Sequence, residues 1–436
     1  MDLRDGVTST ALLTDQYELT MLAAALADGS AYRQCTFEVF ARRLPNGRRY
    51  GVVGGTGRML DALRQFRFDE DELAVAASFS DRGTLDWLRD YRFTGDIDGY
   101  AEGELYFPGS PVLSVRGSFA ECVVLETLIL SILNHDSAIA AAAARMVSAA
   151  SGRRMIEMGS RRSHEMAAPD CARAAYLAGF DATSNLEAVR RYGIPGAGTS
   201  AHAFVLLHSG PDGAHEAEAF RSQVQTLGVG TTLLVDTFDI TKGVATAIEV
   251  AGTQLGGVRI DSGDLGVLAR QVRDQLDALG ATKTRIVVSG DLDEYAIAAL
   301  RAEPVDVYGV GTALVTGSGA PTAGMVYKLV EVEGVPVAKR SSHKQSRGGT
   351  KKVIRLARDT GTIVEEVVYP AAGPVPPGNG FQARDPLVPL IRGGEPVQDL
   401  PTLAESRDLV ARGLISLPWE GLKLSAGEPA VVTTFV

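Results

Sequence analysis

The 436-residue chain is predicted to be an α/β protein centred on an irregular (β/α) barrel. Two observations predict it. First, short apolar runs between residues 153 and 312 each stop at a cluster of polar, acidic or glycine residues: RRMIEMGSRR (153–162), AAYLAGFDATSN (174–185), TLLVDTFD (232–239), GVRIDSGD (257–264), RIVVSGD (285–291) and VDVYGVGT (305–312). GTSAHAF (198–204), read as the end of a third strand, makes a seventh unit. Second, amphipathic stretches such as EAVRRYG, ITKGVATAIEVAG, GVLARQVRDQLDALG and EYAIAALRAE separate these runs, as helices covering parallel strands would. An open doubly wound sheet and a barrel both suit this repeat. The polar residues favour the barrel, because all of its strands end at one mouth, where Arg161, Ser184, His202, Asp236, Asp261, Ser289 and Gly311 could converge. In an open sheet only the strands beside the switch point would contribute.

The remaining elements are read in chain order. LLTDQYELTMLAAALADG (12–29) reads as a helix and CTFEVFARRL (35–44) as a strand. DALRQF and DELAVAASF read as short helices, and residues 93–117 alternate apolar and polar residues between glycines and prolines, which favours antiparallel strands. From Glu121 apolar residues recur at helical spacing to just before Ser151-Gly152, a candidate domain boundary. Residues 1–120 are therefore taken as an α+β segment and 121–330 as the catalytic α/β part. Residues 331–436 read as strand- and loop-rich, with a basic loop KRSSHKQSRGGTKK (339–352) and a Pro/Gly stretch (370–380).

Composition narrows the function. A net charge of −10 argues against nucleic acid as an obligate partner. No apolar run is read as approaching the roughly 18 residues of a membrane span, and the N-terminus lacks the features of a signal peptide, so a cytoplasmic enzyme is expected. Cys35, Cys122 and Cys171 are few and widely separated, which suggests core thiols.

His202 has no metal-ligand partner at ordinary spacing and is a candidate reactive imidazole. SGD (289–291) and YGVGT (308–312) follow β-branched runs, where backbone N–H groups can bind a phosphate; each alone is equally a turn, and the pair at late strands favours a phosphate subsite. No P-loop is present, and GVVGGTGRM (51–59) lacks a βαβ setting. Asp236, Asp239, Asp261 and Asp264 suit ribose hydroxyls or Mg²⁺, although Asp239 and Asp264 stand equally well as helix N-caps. Arg161 and Arg162 are cations at a strand end, for which solvation is the plain alternative. Arg259 interrupts an apolar strand, and a buried strand tolerates arginine only with an anionic partner.

LLTDQYELTM, EMGSRRSHE, GFDATSN, GTSAHAF, DTFD, VRIDSGDL, VSGDLDE and YGVGT together, running from residue 12 to 312, resemble the bacterial nicotinate phosphoribosyltransferases. The resemblance implies a type II phosphoribosyltransferase: an α/β barrel joined to a sandwich-like α+β domain built from both chain ends, dimeric, with active sites near the subunit interface. It implies transfer of the phosphoribosyl group from phosphoribosyl pyrophosphate to nicotinate, coupled to ATP hydrolysis with Mg²⁺, giving nicotinate mononucleotide for NAD salvage. By the same resemblance His202 is the histidine transiently phosphorylated by ATP, and Tyr17 stacks on the pyridine ring from the partner subunit. Arg259, Thr199, Ser200 and Arg161 surround the nicotinate, Asp261 contacts ribose or magnesium, and Gly290, Gly311 and Thr312 cradle the 5-phosphate. The chain departs from similar enzymes at Gly348-Gly349, where they often carry Pro-Gly, so no site residue is placed in the basic loop. At Ser184 amide-using relatives carry an aspartate; a serine there can donate to a carboxylate, which favours the acid. The alternatives are nicotinamide or quinolinate phosphoribosyl transfer, or a non-catalytic nucleotide-binding relative.

Overall fold

The computed structural model describes residues 9–211, 213–339 and 347–436. The N-terminal residues before Ser9 and most of the basic loop, on both of which the sequence was read, lie outside the described residues. Two compact units form, one from Ala142–Gly319 and the other from Met1–Ala141 with Ala320–Val436.

The Ala142–Gly319 unit contains a six-stranded parallel sheet, curled like half a barrel, in the order Thr232–Leu234, Gly257–Ile260, Arg285–Val288, Val307–Val310, Arg154–Glu157 and Ala182–Thr183. Its strands read as continuous apolar runs because both faces of a parallel sheet are covered. Ile156, Ala182, Val287 and Val307 form a buried cluster on one of those faces. The helices Ile240–Ala251, Leu265–Ala278 and Glu294–Ala299 follow their strands as expected, and Asp239, Asp264 and Asp293 start them by accepting hydrogen bonds from first-turn amides. Asp239 and Asp264 thus serve as N-caps.

Two expectations need correcting here. His202 does not end a third strand: it is the first residue of the short helix His202–Leu207, and the segment before it joins the sheet only through a bridge of Gly196 to Thr183. PGAGTSA offers glycine and proline in place of the β-branched side chains that stabilise a strand. In AAYLAGFDATSN, likewise, the apolar residues AAYL close the helix Ala168–Leu177, and only Ala182–Thr183 pairs as strand.

The other unit holds a seven-stranded antiparallel sheet, ordered Val335–Pro336, Met325–Val332, Gln34–Ala41, Leu113–Ser118, Asp96–Tyr100, Leu387–Arg392 and Glu395–Pro396. Phe37 and Tyr327 stack across neighbouring strands with ring centroids 4.8 Å apart. A four-stranded sheet, Gln382–Arg384, Lys351–Ala357, Ile363–Pro370 and Val432–Phe435, completes it. There Arg355 is buried and donates to Glu366 at 2.7 Å and to Glu104 at 2.5 Å, so its charge is paired on both sides. The helix Gln16–Asp28 closes on Gly29 in the left-handed region. A helix the sequence reading missed, Leu403–Ser416, opens with a capping box of Thr402 and Glu405. The glycine motif at 51–59 is a packing device: a Cβ on Gly54 would lie 2.9 Å from the Asp136 carbonyl oxygen, and Gly54 N–H donates to Ser137 at 3.1 Å. Cys35, Cys122 and Cys171 are buried.

The expectation that no apolar run reaches membrane-span length also fails. The helical stretch Phe119–Ala150 is long and apolar enough by composition, and 67% of its most apolar window is buried within the protein. Its alanines and leucines pack against protein, and helical spacing alone does not distinguish that from lipid.

Candidate active site

Parallel strands that lie side by side present their carboxyl ends along one edge, and here that edge carries Asp236, Asp261, Ser289, Gly311, Met158 and Ser184 in spatial order. His202 faces its acidic end. Its Nε2 stands 3.9 Å from Asp236 Oδ1 and 4.0 Å from Asp261 Oδ2, while Nδ1 lies 3.1 Å from Thr237 Oγ1. The ring is held at one nitrogen and presents the other to the carboxylates; 39% of the His202 side chain is exposed, so a ligand can reach it.

Asp236 is 1% exposed. Its Oδ2 accepts from the Asp261 backbone N–H at 2.7 Å and from Ser262 Oγ at 3.0 Å, which locks two adjacent strand ends together. Its Oδ1 is buried without a hydrogen-bond partner. Asp261 accepts from Ser289 Oγ through Oδ1 and leaves Oδ2 toward His202. Gly290 adopts φ 101°, and a Cβ there would come 2.3 Å from the Asp261 carbonyl oxygen, so the turn after the Arg285–Val288 strand needs glycine on both counts.

Arg259 pairs in register with Val287, a member of the buried sheet-face cluster, and so points to that same face. Its Nε is buried without a partner. Burial lowers the guanidinium pKa, Asp261 and Asp236 act against that, and Arg161 adds to it. Arg161 and Arg259 are therefore two cations acting on each other beside two carboxylates. Arg161 sits exposed in the turn Ser160–Arg162.

Beneath that turn is a residue the sequence reading missed. Glu157 is buried, accepts from Thr183 Oγ1 at 2.5 Å and from Gly159 N–H, and burial pushes its carboxyl pKa up. The Glu157 carbonyl accepts from Ser184 N–H at 2.9 Å, which fixes the Ser184 backbone while its hydroxyl stays exposed. Gly311 precedes the helix Thr312–Val315, and Met158 N–H donates to the Val310 carbonyl at 2.7 Å beside it.

Three expected site residues stand differently. Ser200 Oγ donates to Gln223 at 2.7 Å and anchors the loop before His202, whereas Thr199 is exposed. Tyr17 belongs to the other compact unit and is 46% exposed; partial burial and the nearby Glu126 and Glu18 push its phenol up to about 12. Thr237 joins the site through His202 without having been read from sequence; it sits next to Asp236, but nothing in its own spacing marks it.

Carboxylates, arginines and glycine turns gathered at the ends of parallel strands define an α/β enzyme that handles phosphorylated or anionic small molecules. Comparison with known proteins narrows the class. Residues 12–134 match the nicotinate phosphoribosyltransferase N-terminal domain and residues 153–363 match the nicotinate phosphoribosyltransferase family, so the chain belongs to that family. It is 68% identical over 432 residues to nicotinate phosphoribosyltransferase pncB1 of Mycobacterium tuberculosis, covering 98% of this chain and 96% of the relative. It is 38% identical over 370 residues to a nicotinate phosphoribosyltransferase of Bacillus subtilis, covering 80% and 73%. The crystal structure of human nicotinic acid phosphoribosyltransferase superposes with a TM-score of 0.83 at 28% identity, covering 97% of each chain.

Proposed function

We propose that the protein transfers the phosphoribosyl group of phosphoribosyl pyrophosphate to nicotinate, in the cytosol, as a step of NAD salvage, and that ATP drives the transfer through a phosphorylated His202. The reading is carried by one observation: the partly exposed His202 holds one ring nitrogen on Thr237 and presents the other to the carboxylates of Asp236 and Asp261.

In this reading Arg259 and Arg161 supply the cationic field for the nicotinate carboxylate, and the Ser184 hydroxyl donates to it. The glycine turns at Gly290 and Gly311, with Thr312, receive the 5-phosphate, since backbone N–H groups can approach an anion closely where there is no side chain. The pyridine nitrogen displaces pyrophosphate at the ribose anomeric carbon. At His202 the imidazole takes the terminal phosphoryl of ATP, forming an N–P bond as the bond to ADP oxygen breaks; water later releases phosphate.

Mg²⁺ fits this site as a substrate-borne ion. Among the described residues no group of three or more His, Cys, Asp or Glu could hold a metal, while Asp261, whose side chain is partly exposed, directs Oδ2 toward His202 at 4.0 Å. One carboxylate together with diphosphate oxygens is the usual protein share of Mg²⁺ binding, and the ion would neutralise phosphate charge there. We further read the parallel sheet as part of a (β/α) barrel, and the assembly as a dimer in which Tyr17 of one subunit reaches the nicotinate of the other.

Labelled ATP is expected to leave acid-labile phosphate on the protein, and His202→Ala to abolish it while some ATP-independent transfer survives, because the sites for nicotinate and the 5-phosphate are intact. Label that persists in the variant would remove His202 from this role.

A further inference from the structure

The turn that carries Arg161 and the strand end that carries Ser184 are joined by a closed circuit of hydrogen bonds. Asn185 Nδ2 donates to Ser160 Oγ at 2.9 Å. Asn185 Oδ1 accepts from Ala188 N–H at 2.8 Å as the N-cap of the helix Leu186–Tyr192, and Asn185 N–H donates to Thr183 Oγ1 at 2.9 Å. Thr183 Oγ1 donates in turn to Glu157 Oε2 at 2.5 Å, and Glu157 Oε1 accepts from Gly159 N–H, which returns the circuit to the residue before Ser160. Thr183 and Glu157 are each 1% exposed, so these bonds form out of contact with water. Ser160 and Asn185 are the chain neighbours of Arg161 and Ser184, on strands paired at Ile156 with Ala182 and Glu157 with Thr183. Arg161 and Ser184 themselves have exposed side chains, so the backbone beneath them decides where their donors stand. Two donors read a carboxylate only at the right spacing, because each oxygen must meet its own. The Asn185–Ser160 bond spans that gap directly, between residues 25 positions apart.

We propose that Asn185 and Ser160 are positioning residues that set the spacing between Arg161 and Ser184, and through it the selection of a pyridine carboxylate over the corresponding amide. The inference rests on Arg161 and Ser184 being residues that receive the nicotinate carboxylate. Neither Asn185 nor Ser160 touches the substrate. When the Asn185 amide no longer holds Ser160, the turn and the strand end shift independently, and the carboxylate meets one well-placed donor instead of two. Nicotinamide has no carboxylate to lose in this way.

The test is steady-state kinetics of the full-length enzyme with nicotinate as substrate and nicotinamide as competing ligand. Asn185→Ser keeps a capping hydroxyl for Ala188 N–H but is too short to reach Ser160, whereas Ser160→Ala removes the acceptor and leaves the cap intact. Each is expected to raise KM for nicotinate about tenfold while kcat and the inhibition constant of nicotinamide change less than about twofold, because the weakened contact is to a group that only the acid carries. The double variant should be no worse than either single within about twofold, since both remove the same bond. Ser160→Thr, which keeps the hydroxyl, should restore the wild-type KM. Ser160→Ala carries the test if Asn185→Ser does not fold. A merely structural role would weaken both ligands alike or lower kcat. Arg161→Ala and Ser184→Ala separate the two ways of failing. If they raise KM for nicotinate and the variants at 160 and 185 do not, or if the two single effects multiply in the double variant, the proposal alone is overturned. If Arg161→Ala and Ser184→Ala leave KM for nicotinate unchanged, the reading of the carboxylate site fails and the proposal with it.

Discussion

In the proposed site Ser184 is set to discriminate an acid from an amide with very little structure. Its backbone N–H is held by the Glu157 carbonyl and its side chain is exposed at the strand end, while Arg259 keeps a buried Nε without a hydrogen-bond partner. In the proposed site a carboxylate introduced at 184 would face the substrate's own carboxylate. Ser184→Asp is expected to lower kcat/KM for nicotinate at least about tenfold, corresponding to about 1.4 kcal/mol, measured beside nicotinamide in the same assay. An unchanged preference would show that the acid is read by other residues.

At the scale of elements, the four aspartates of DTFD and DSGD divide by position. Asp236 and Asp261 end strands and face His202, whereas Asp239 and Asp264 cap the helices that follow. The two sets are chemically identical in sequence and separate only once the strand-to-helix turn has a geometry. Asp264→Ala should cost about 1 kcal/mol of stability by leaving the Val267 N–H without its acceptor, read as a lower thermal midpoint. A loss of kcat/KM far beyond that stability loss would return Asp264 to the site. GTSAHAF shows the reverse, since a histidine expected at a strand end is delivered by a loop and one helical turn. That loop is held by Ser200 on Gln223, a contact between residues 23 positions apart that no local pattern announces.

For the molecule as a whole, the proposed dimer makes a prediction that neither unit makes alone. Tyr17→Ala and Arg259→Ala chains, each defective by itself, should complement when isolated as heterodimers: one site then has both residues and the other neither, so activity should recover toward half of wild type. Loss of stacking on the ring accounts for roughly 1 kcal/mol of the defect of Tyr17→Ala. Heterodimers no more active than the average of the two variants would place Tyr17 in its own subunit's chemistry or outside it. The sequence by itself determined the family, the repeat of parallel strands and helices, and the strand-end places of Asp236, Asp261 and Arg259, because strand ends and turns are written in local residue order; the loop and helical turn that deliver His202 were not legible in it. It also determined an antiparallel segment at 93–117, where alternation survives without tertiary context. Tertiary structure alone decided which carboxylates lose their partners, which aspartates cap and which face the histidine. It decided as well that a helix apolar enough for a membrane lies largely inside the protein, and that Gly54 serves packing against a helix. Burial is a property of what the chain folds against, and neither desolvation nor an unpaired lone pair exists until distant segments meet.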